Sequence, residues 1–246
     1  MRKFTPKKPN LSKTSGQIIR NKKGNFHSFN DKPAEQAYNI RSKTWLLKWF
    51  NDGVQHRDND KPAEVEIDEK GRLVHTSYYQ NGITHRSNGK PALVTPYVSK
   101  FWVVAGLQHR IIGPSYLSYT GDQERFRFYG VPVKEENQHH VVEKAFLNNT
   151  PVWVTWLCEL GIVNYSDLKD VDFFGYPPNW TLKLLNVTPK DLLDASIEMY
   201  KRNGGTSNFQ FAGWQEDSWF KSFLKATQDE TPEFFHKTKL EFLGNK

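Results

Sequence analysis

One short phrase, written twice, constrains this chain more than anything else in it: Asn51-Asp52-Gly53-Val54-Gln55-His56-Arg57 returns as Asn81-Gly82-Ile83-Thr84-His85-Arg86. Gly53 to Gly82, His56 to His85 and Pro62 to Pro91 are each 29 residues apart, and His27 and Pro33 lie a further 29 before His56 and Pro62. Three copies in one register predict a repeat architecture, in which a unit that cannot bury its apolar face alone does so against its neighbour.

Each unit reads as an aromatic pair, a Gly turn, a His-Arg pair, a polar turn, then Pro-Ala and a short apolar strand. Asp52-Gly53 and Asn81-Gly82 are two-residue hairpin turns, where a positive φ suits Gly, Asn and Asp. Trp49-Phe50 and Tyr78-Tyr79 are then incoming strands. Pro62 and Pro91 follow a second turn (Asp58-Asn59-Asp60 and Ser87-Asn88-Gly89) and belong at strand starts, where no ladder donor is needed. Ala63, Val65 and Ile67 alternate with Glu64, Glu66 and Asp68, the period of a half-buried strand. The register continues in worn form at Gly24-Asn25-Phe26-His27, at Gly106-Leu107-Gln108-His109-Arg110 and at Tyr129-Gly130-Val131-Pro132.

An aromatic residue, then Gly, two residues and His, repeated every 23 to 29 residues over 18–133, resembles the MORN repeat, and more closely the MORN-like variants of bacterial and bacteriophage proteins. Where the MORN pattern has Gly after the His, this chain has Arg57, Arg86 and Arg110. The resemblance implies a meandering antiparallel sheet of stacked hairpins that serves as a protein-interaction or scaffolding surface, and it implies no catalytic residue.

The net charge of +7 is concentrated at one end. Residues 1–25 hold Arg2, Lys3, Lys7, Lys8, Lys13, Arg20, Lys22 and Lys23 and no acid, which is +8 and leaves 7 − 8 = −1 for the remainder. A basic arm on a nearly neutral body is expected, with residues 1–17 too poor in apolar side chains to offset their ordering entropy. Either the arm contacts phosphates, through Arg2, Lys3, Lys7, Lys8, Lys13, Lys22 and Lys23, or it is a solubilising tail. No run of apolar residues is long enough to cross a bilayer and the N-terminus lacks a secretory core, so a cytoplasmic location is expected. The single cysteine, Cys158, reads as a buried structural thiol.

Four repeated histidines, His27, His56, His85 and His109, raise the possibility of metal binding. Successive ones should stand roughly 10 to 15 Å apart on a sheet of this kind, whereas zinc needs ligands at about 2 Å. No metal or cofactor is therefore expected, and the same holds for the compact trio His139, His140 and Glu143. Each arginine should reach the polar turn of its own unit, as Arg57 to Asp58 or Asp60. The functional alternative is a row of Arg57, Arg86 and Arg110 gripping an acidic partner, whose truncation would leave stability nearly intact.

After about residue 137 the spacing becomes helical. Thr150-Pro151, Thr188-Pro189 and Thr231-Pro232 each read as a helix start, with Thr as N-cap and Pro in the first turn. Helices are expected over 151–160, 180–185, 189–202, 218–225 and 232–243. Thr181 to Leu192 is similar to a helix-turn-helix, but Asp191, Asp194 and Glu198 on its second helix would repel phosphates. Trp214, beside the Gly-rich loop 205–213, is the expected exposed aromatic contact.

The expected fold is α+β: an arm (1–17), MORN-like hairpin repeats (18–136) and a helical domain (137–246). The expected function is non-enzymatic: a protein-binding scaffold or inhibitor whose contacts include Arg57, Arg86, Arg110 and Trp214. If the bacteriophage resemblance holds, it acts on a host or assembly component in the host cytoplasm. The alternative is a nucleic-acid or ribonucleoprotein binder that uses residues 1–25.

Overall fold

The computed structural model describes residues 16–120, 123–169, 171–203 and 216–244, and the chain is α+β with its strands first. In chain order the strands are β1 (Gln17–Ile18), β2 (Glu35–Asn39), β3 (Thr44–Lys48), β4 (Phe50–Asn51), β5 (Val54–Gln55), β6 (Glu64–Asp68), β7 (Leu73–Ser77) and β8 (Tyr79–Gln80). They continue as β9 (Ile83–Thr84), β10 (Leu93–Thr95), β11 (Ser99–Phe101), β12 (Val103–Val104), β13 (Leu107–Gln108), β14 (Tyr116–Ser118), β15 (Glu124–Phe128) and β16 (Val131–Val133). Helices α1 (Glu135–Leu147), α2 (Val152–Glu159), α3 (Pro178–Leu184), α4 (Pro189–Arg202), α5 (Glu216–Thr227) and α6 (Pro232–Gly244) follow. Two compact units result: described residues up to 86 with 90–106 and 116–123 form the first, and 87–89, 107–115 and those from 124 onward form the second.

The first unit is an antiparallel sheet in the order β1-β2-β3-β6-β7-β10-β11-β14. At one end of the strands, tight turns join β2 to β3, β6 to β7 and β10 to β11. At the other end the chain makes the small ribbons β4–β5 and β8–β9 before re-entering the sheet. We call these the turn end and the ribbon end. The alternation expected of β6 is present: Val65 and Ile67 are fully buried, while Glu64, Glu66 and Asp68 are half-buried. Across the ladder Trp45 pairs with Ile67 and Leu47 with Val65, and with Trp49 and Ala63 they form one buried cluster. Each such aliphatic side chain contributes about 1.5 to 3 kcal/mol by leaving water.

The Pro-Ala phrase has a specific duty. Ala34, Ala63 and Ala92 are completely buried at 29-residue intervals, and their carbonyls accept the N–H groups of Ile19, Trp49 and Tyr78 at 2.7–2.8 Å. The proline before each lies outside the strand, as its missing N–H requires. Both turns of the unit are left-handed. Asp52-Gly53 and Asn81-Gly82 have φ of 48° and 88°, and 50° and 78°. The second turn repeats the device at Asn30-Asp31, Asn59-Asp60 and Asn88-Gly89.

The second unit joins the hairpin β15–β16 to the six helices. Phe128, Tyr129, Phe146, Trp156, Leu157, Leu182, Leu192 and Phe223 fill its core. Composition had not revealed α1, whose first turn carries Glu135 and Glu136 where the helix dipole favours anions. The turn between α3 and α4 uses Asn186 at φ 53° in place of Gly, and Asp191 closes a capping box with Thr188, so this acid stabilises its own helix. Thr231 likewise accepts the Phe234 N–H at 3.2 Å. Thr150 does not cap. Its hydroxyl turns back to the Asn148 carbonyl, and the free N–H of Val152 is taken instead by the carboxylate of Glu230, 2.8 Å away and buried. Cys158 is half-buried, and burial pushes its thiol up to about 11, which keeps it protonated and unreactive.

Glu230 also accepts the hydroxyl proton of Tyr129, whose ring stacks on His109 with centroids 4.1 Å apart. Burial raises Glu230 to about 7 and lowers His109 to about 3. The two have opposite pH consequences. Glu230, with a raised folded pKa, gives stability that is complete below its unfolded value and is lost as pH rises through about 7. His109, with a depressed folded pKa, gives stability that is present above its unfolded value near 6.5 and is lost as pH falls toward about 3. Between pH 7 and 5 the two slopes cancel. Glu230→Gln should therefore make stability fall by roughly 2 kcal/mol more between pH 7 and pH 5 than it does in the unchanged chain, read from urea unfolding at both pH values.

Gly53→Val should cost the first unit about 1 to 3 kcal/mol from the left-handed backbone, and Gly53→Asn less than half of that, because Asn tolerates this region. At Gly82 an added Cβ would also stand 3.1 Å from Val54, but Val54 is 44% exposed and can turn aside, so Gly82→Val should lose a similar amount. Circular dichroism melts check the series, and an unchanged melt for either Val variant would refute the turn assignment.

Candidate functional site

The repeat register places the same contacts at the ribbon end over and over. In each unit the His ring reaches forward and its Nδ1 accepts the backbone N–H of the first turn residue of the next ribbon. Asp52 donates to His27 at 3.2 Å, Asn81 to His56 at 3.1 Å, Ala105 to His85 at 3.0 Å and, in the second unit, Tyr129 to His109 at 3.2 Å. Beside it, the turn glycine's N–H goes to the carbonyl of the residue before the His: Gly53 to Phe26, Gly82 to Gln55, Gly106 to Thr84 and Gly130 to Gln108, at 2.8–2.9 Å. An Nδ1 that accepts carries no proton, so these histidines are neutral with the proton on Nε2, which His56 directs at Asp58 2.9 Å away. That arrangement holds the turns of successive ribbons together.

The arginines also act between repeats. Arg57 grips Asp31 of the preceding unit with two hydrogen bonds, at 2.7 and 3.1 Å, lies 3.8 Å over the Trp49 ring and donates to the Pro62 carbonyl. Arg86 does the same with Asp60 at 2.7 and 3.2 Å, with Tyr78 at 3.7 Å and with the Pro91 carbonyl. Lys61 and Lys90 complete each pair on the same two acids. The expectation that Arg57 meets the acids of its own turn is thus corrected: Asp60 is held by the following unit, because its left-handed turn presents the carboxylate forward. Arg57 holds Asp31 down at about 2; at Asp60 burial opposes ionisation, but the hydrogen bonds from Arg86 and Lys90 prevail and keep it below the usual range. Arg110 donates to the Pro114 carbonyl at 3.2 Å, and the third acid position of the register is Gly89.

With side chains only 7% and 16% exposed, Arg57 and Arg86 hold the stack together, so cutting them cannot leave stability intact. A polar cleft of about 300 Å³ opens beside Arg57, lined by Asp31, Trp49, His56, Asp58 and Lys61 among others, in which the formal charges balance.

The opposite end of the strands is different. Ile40 (77%), Tyr97 (91%), Val98 (57%) and Tyr119 (46%) are the exposed apolar residues there, and the Tyr119 N–H donates to the Val98 carbonyl at 2.9 Å. Tyr97 sits third in a turn closed by Val98 N–H to Thr95 C=O at 3.0 Å, with Pro96 second and φ of 62° at the tyrosine. In a turn of this type that position belongs to Gly or Asn, and a bulky residue there is strained. Sequence reading passed over this site, although its signal was available: Asn39, Asp68 and Tyr97 occupy one register position, and the first two accept backbone N–H groups of their own turns, which Tyr97 cannot do.

Lys22 and Lys23 are exposed on the first ribbon-end turn, with Lys23 3.6 Å from Asp52. Arg2, Lys3, Lys7, Lys8 and Lys13 lie outside the described residues, as does Trp214. Among the described residues no helix is long and apolar enough to cross a membrane. No family model matches the sequence, and neither the curated proteins nor the solved structures contain a match.

The inter-repeat pairing predicts that a double-mutant cycle of Asp60→Ala and Arg86→Ala returns a coupling of about 1 to 2 kcal/mol, above the range of exposed pairs. Arg86→Lys should lose most of what Arg86→Ala loses, since an ammonium cannot stack on Tyr78, fork onto Asp60 and reach Pro91 together. Urea unfolding measures both, and a coupling near zero would return the arginines to the solvent.

Proposed function

We propose that this chain is a non-enzymatic protein-recognition module built on MORN-like repeats, acting in the cytoplasm as a scaffold or inhibitor. The observation that carries the reading is Tyr97, a large ring 91% exposed on a strained left-handed turn, with Val98 and Tyr119 beside it. Strain of this kind persists where the surroundings impose it and concentrates at contact sites. Tyrosine is also the side chain that adds most contact area for the least conformational entropy. The 29-residue register and the repeated left-handed turns support the MORN-like assignment, and that resemblance supports a bacterial or bacteriophage setting with a host or assembly component as partner.

Tyr97→Asn should raise stability by roughly 0.5 to 1 kcal/mol, since Asn tolerates the turn, while removing partner contact. A photo-crosslinking residue placed at Tyr97 or Val98 should capture a protein from the cells in which the chain is made, and the same residue at Val54 or Ile83, at the ribbon end, should not. Equal labelling at both ends, or none at Tyr97, would overturn the reading.

A further inference from the structure

We infer that the turn end of the sheet receives an acidic protein segment anchored by an apolar or aromatic side chain; this rests on the protein-recognition reading above and specifies its partner. Successive hairpin turns along this end are two strands, or about 10 Å, apart. The β2–β3 turn presents Arg41 and Lys43, the β6–β7 turn Lys70, and all three are exposed and form no ion pair among the described residues. With Arg72 and Lys100 the turn end has five cations against the acids Glu66, Asp68 and Glu69, 5 − 3 = +2 among the described residues. All three acids are occupied: Glu66 by the Thr44 hydroxyl, Asp68 by Arg72 and by backbone N–H groups, Glu69 by the Tyr38 hydroxyl. At the far side of the same row stand Tyr97, Val98 and Tyr119.

The surface is therefore graded, cations first and apolar rings about 20 Å on. This grading separates the candidate partners. A single-stranded nucleic acid needs aromatic platforms interleaved with cations along a groove, so that each base stacks while its phosphate is neutralised. Here Lys100 lies 5.0 Å from the Tyr119 ring, but Arg41, Lys43 and Lys70 stand on the other two turns, away from the rings, and the aliphatic Ile40 and Val98 offer no stacking face. A protein segment with an apolar anchor at one end and carboxylates following it matches the order, with the anchor supplying affinity and the charges supplying orientation and association rate.

The test uses the full chain and a fluorescein-labelled synthetic peptide, a Phe-Leu anchor followed by a run of glutamates, in fluorescence anisotropy at low salt. Its controls are the same peptide with Gln for Glu and a labelled oligothymidylate. The acidic peptide should bind at least about tenfold tighter than the Gln version. Arg41→Glu with Lys43→Glu and Lys70→Glu should weaken it at least about tenfold, and Tyr97→Ala should weaken both peptides. These side chains are exposed, so the melting curve of each variant should stay unchanged and separate lost binding from lost folding.

Equal binding of the two peptides, indifference to the charge reversal, or no binding at all would overturn the inference. So would oligothymidylate binding that is tighter than the peptide's and is removed by the same three substitutions. A protein crosslinked at Tyr97 together with failure of the acidic peptide would leave the recognition reading standing and discard only the acidic partner.

Discussion

The hydrogen bond from each turn N–H to the Nδ1 of the preceding unit's histidine is the constraint on which the stacked repeats depend. A two-residue hairpin turn in the left-handed region leaves its first N–H pointing out of the ribbon, where it would otherwise need water. The neighbouring imidazole supplies the acceptor, and the glycine N–H beside it finds a carbonyl in the same neighbour, so every ribbon is fixed by two bonds to the one before it. Only histidine offers a rigid, neutral ring acceptor at that reach. The recurrence of His thus needs neither a metal nor a charge to explain it.

Arginine adds the second tie. Its planar group stacks on the aromatic residue of its own unit and forks onto the carboxylate of the unit before, so a single side chain joins intra-unit and inter-unit contacts. The pair is half-sheltered, at 7% and 16% exposure for the guanidinium side chains, which places it above the ordinary surface ion pair in worth. Where the register runs out, Gly89 stands in place of the acid, and Arg110 donates to the Pro114 carbonyl while burial opposes its charge.

How far this could be read from the sequence depends on the range of each interaction. Local chemistry was legible: the Gly turns, the Pro-Ala strand entries, the alternation along β6 and the Thr188 cap are all decided within a few residues. Arg57 was assigned to the wrong acid because Asp58 and Asp60 are nearer in sequence than Asp31, and spacing alone cannot show which way a left-handed turn aims its carboxylate. The Thr150 cap failed for a similar reason. Its place is taken by Glu230, 78 residues away, and no local pattern announces a carboxylate brought in by packing. Tyr97 stood in plain register with Asn39 and Asp68, but a single break in a repeat is conspicuous only once the turn it disrupts is known.

The two ends of the repeat strands consequently differ in freedom. At the ribbon end each side chain of the repeated phrase is committed to the neighbouring unit, so substitution there unsettles the stack and the positions must stay alike from copy to copy. At the turn end the tight turns close on themselves through Asn39, Asp68 and the Thr95 carbonyl, and the ties between neighbours, such as Tyr38 to Glu69 and Tyr119 to Val98, do not repeat from unit to unit among the described residues. Residues there can diverge without loss of the fold, and they do: Ile40, Lys70 and Tyr97 have little in common. A scaffold that confines its structural chemistry to one end leaves the other available for recognition, and the strained tyrosine, which destabilises the turn it occupies, is the residue at that end whose presence stability alone does not account for.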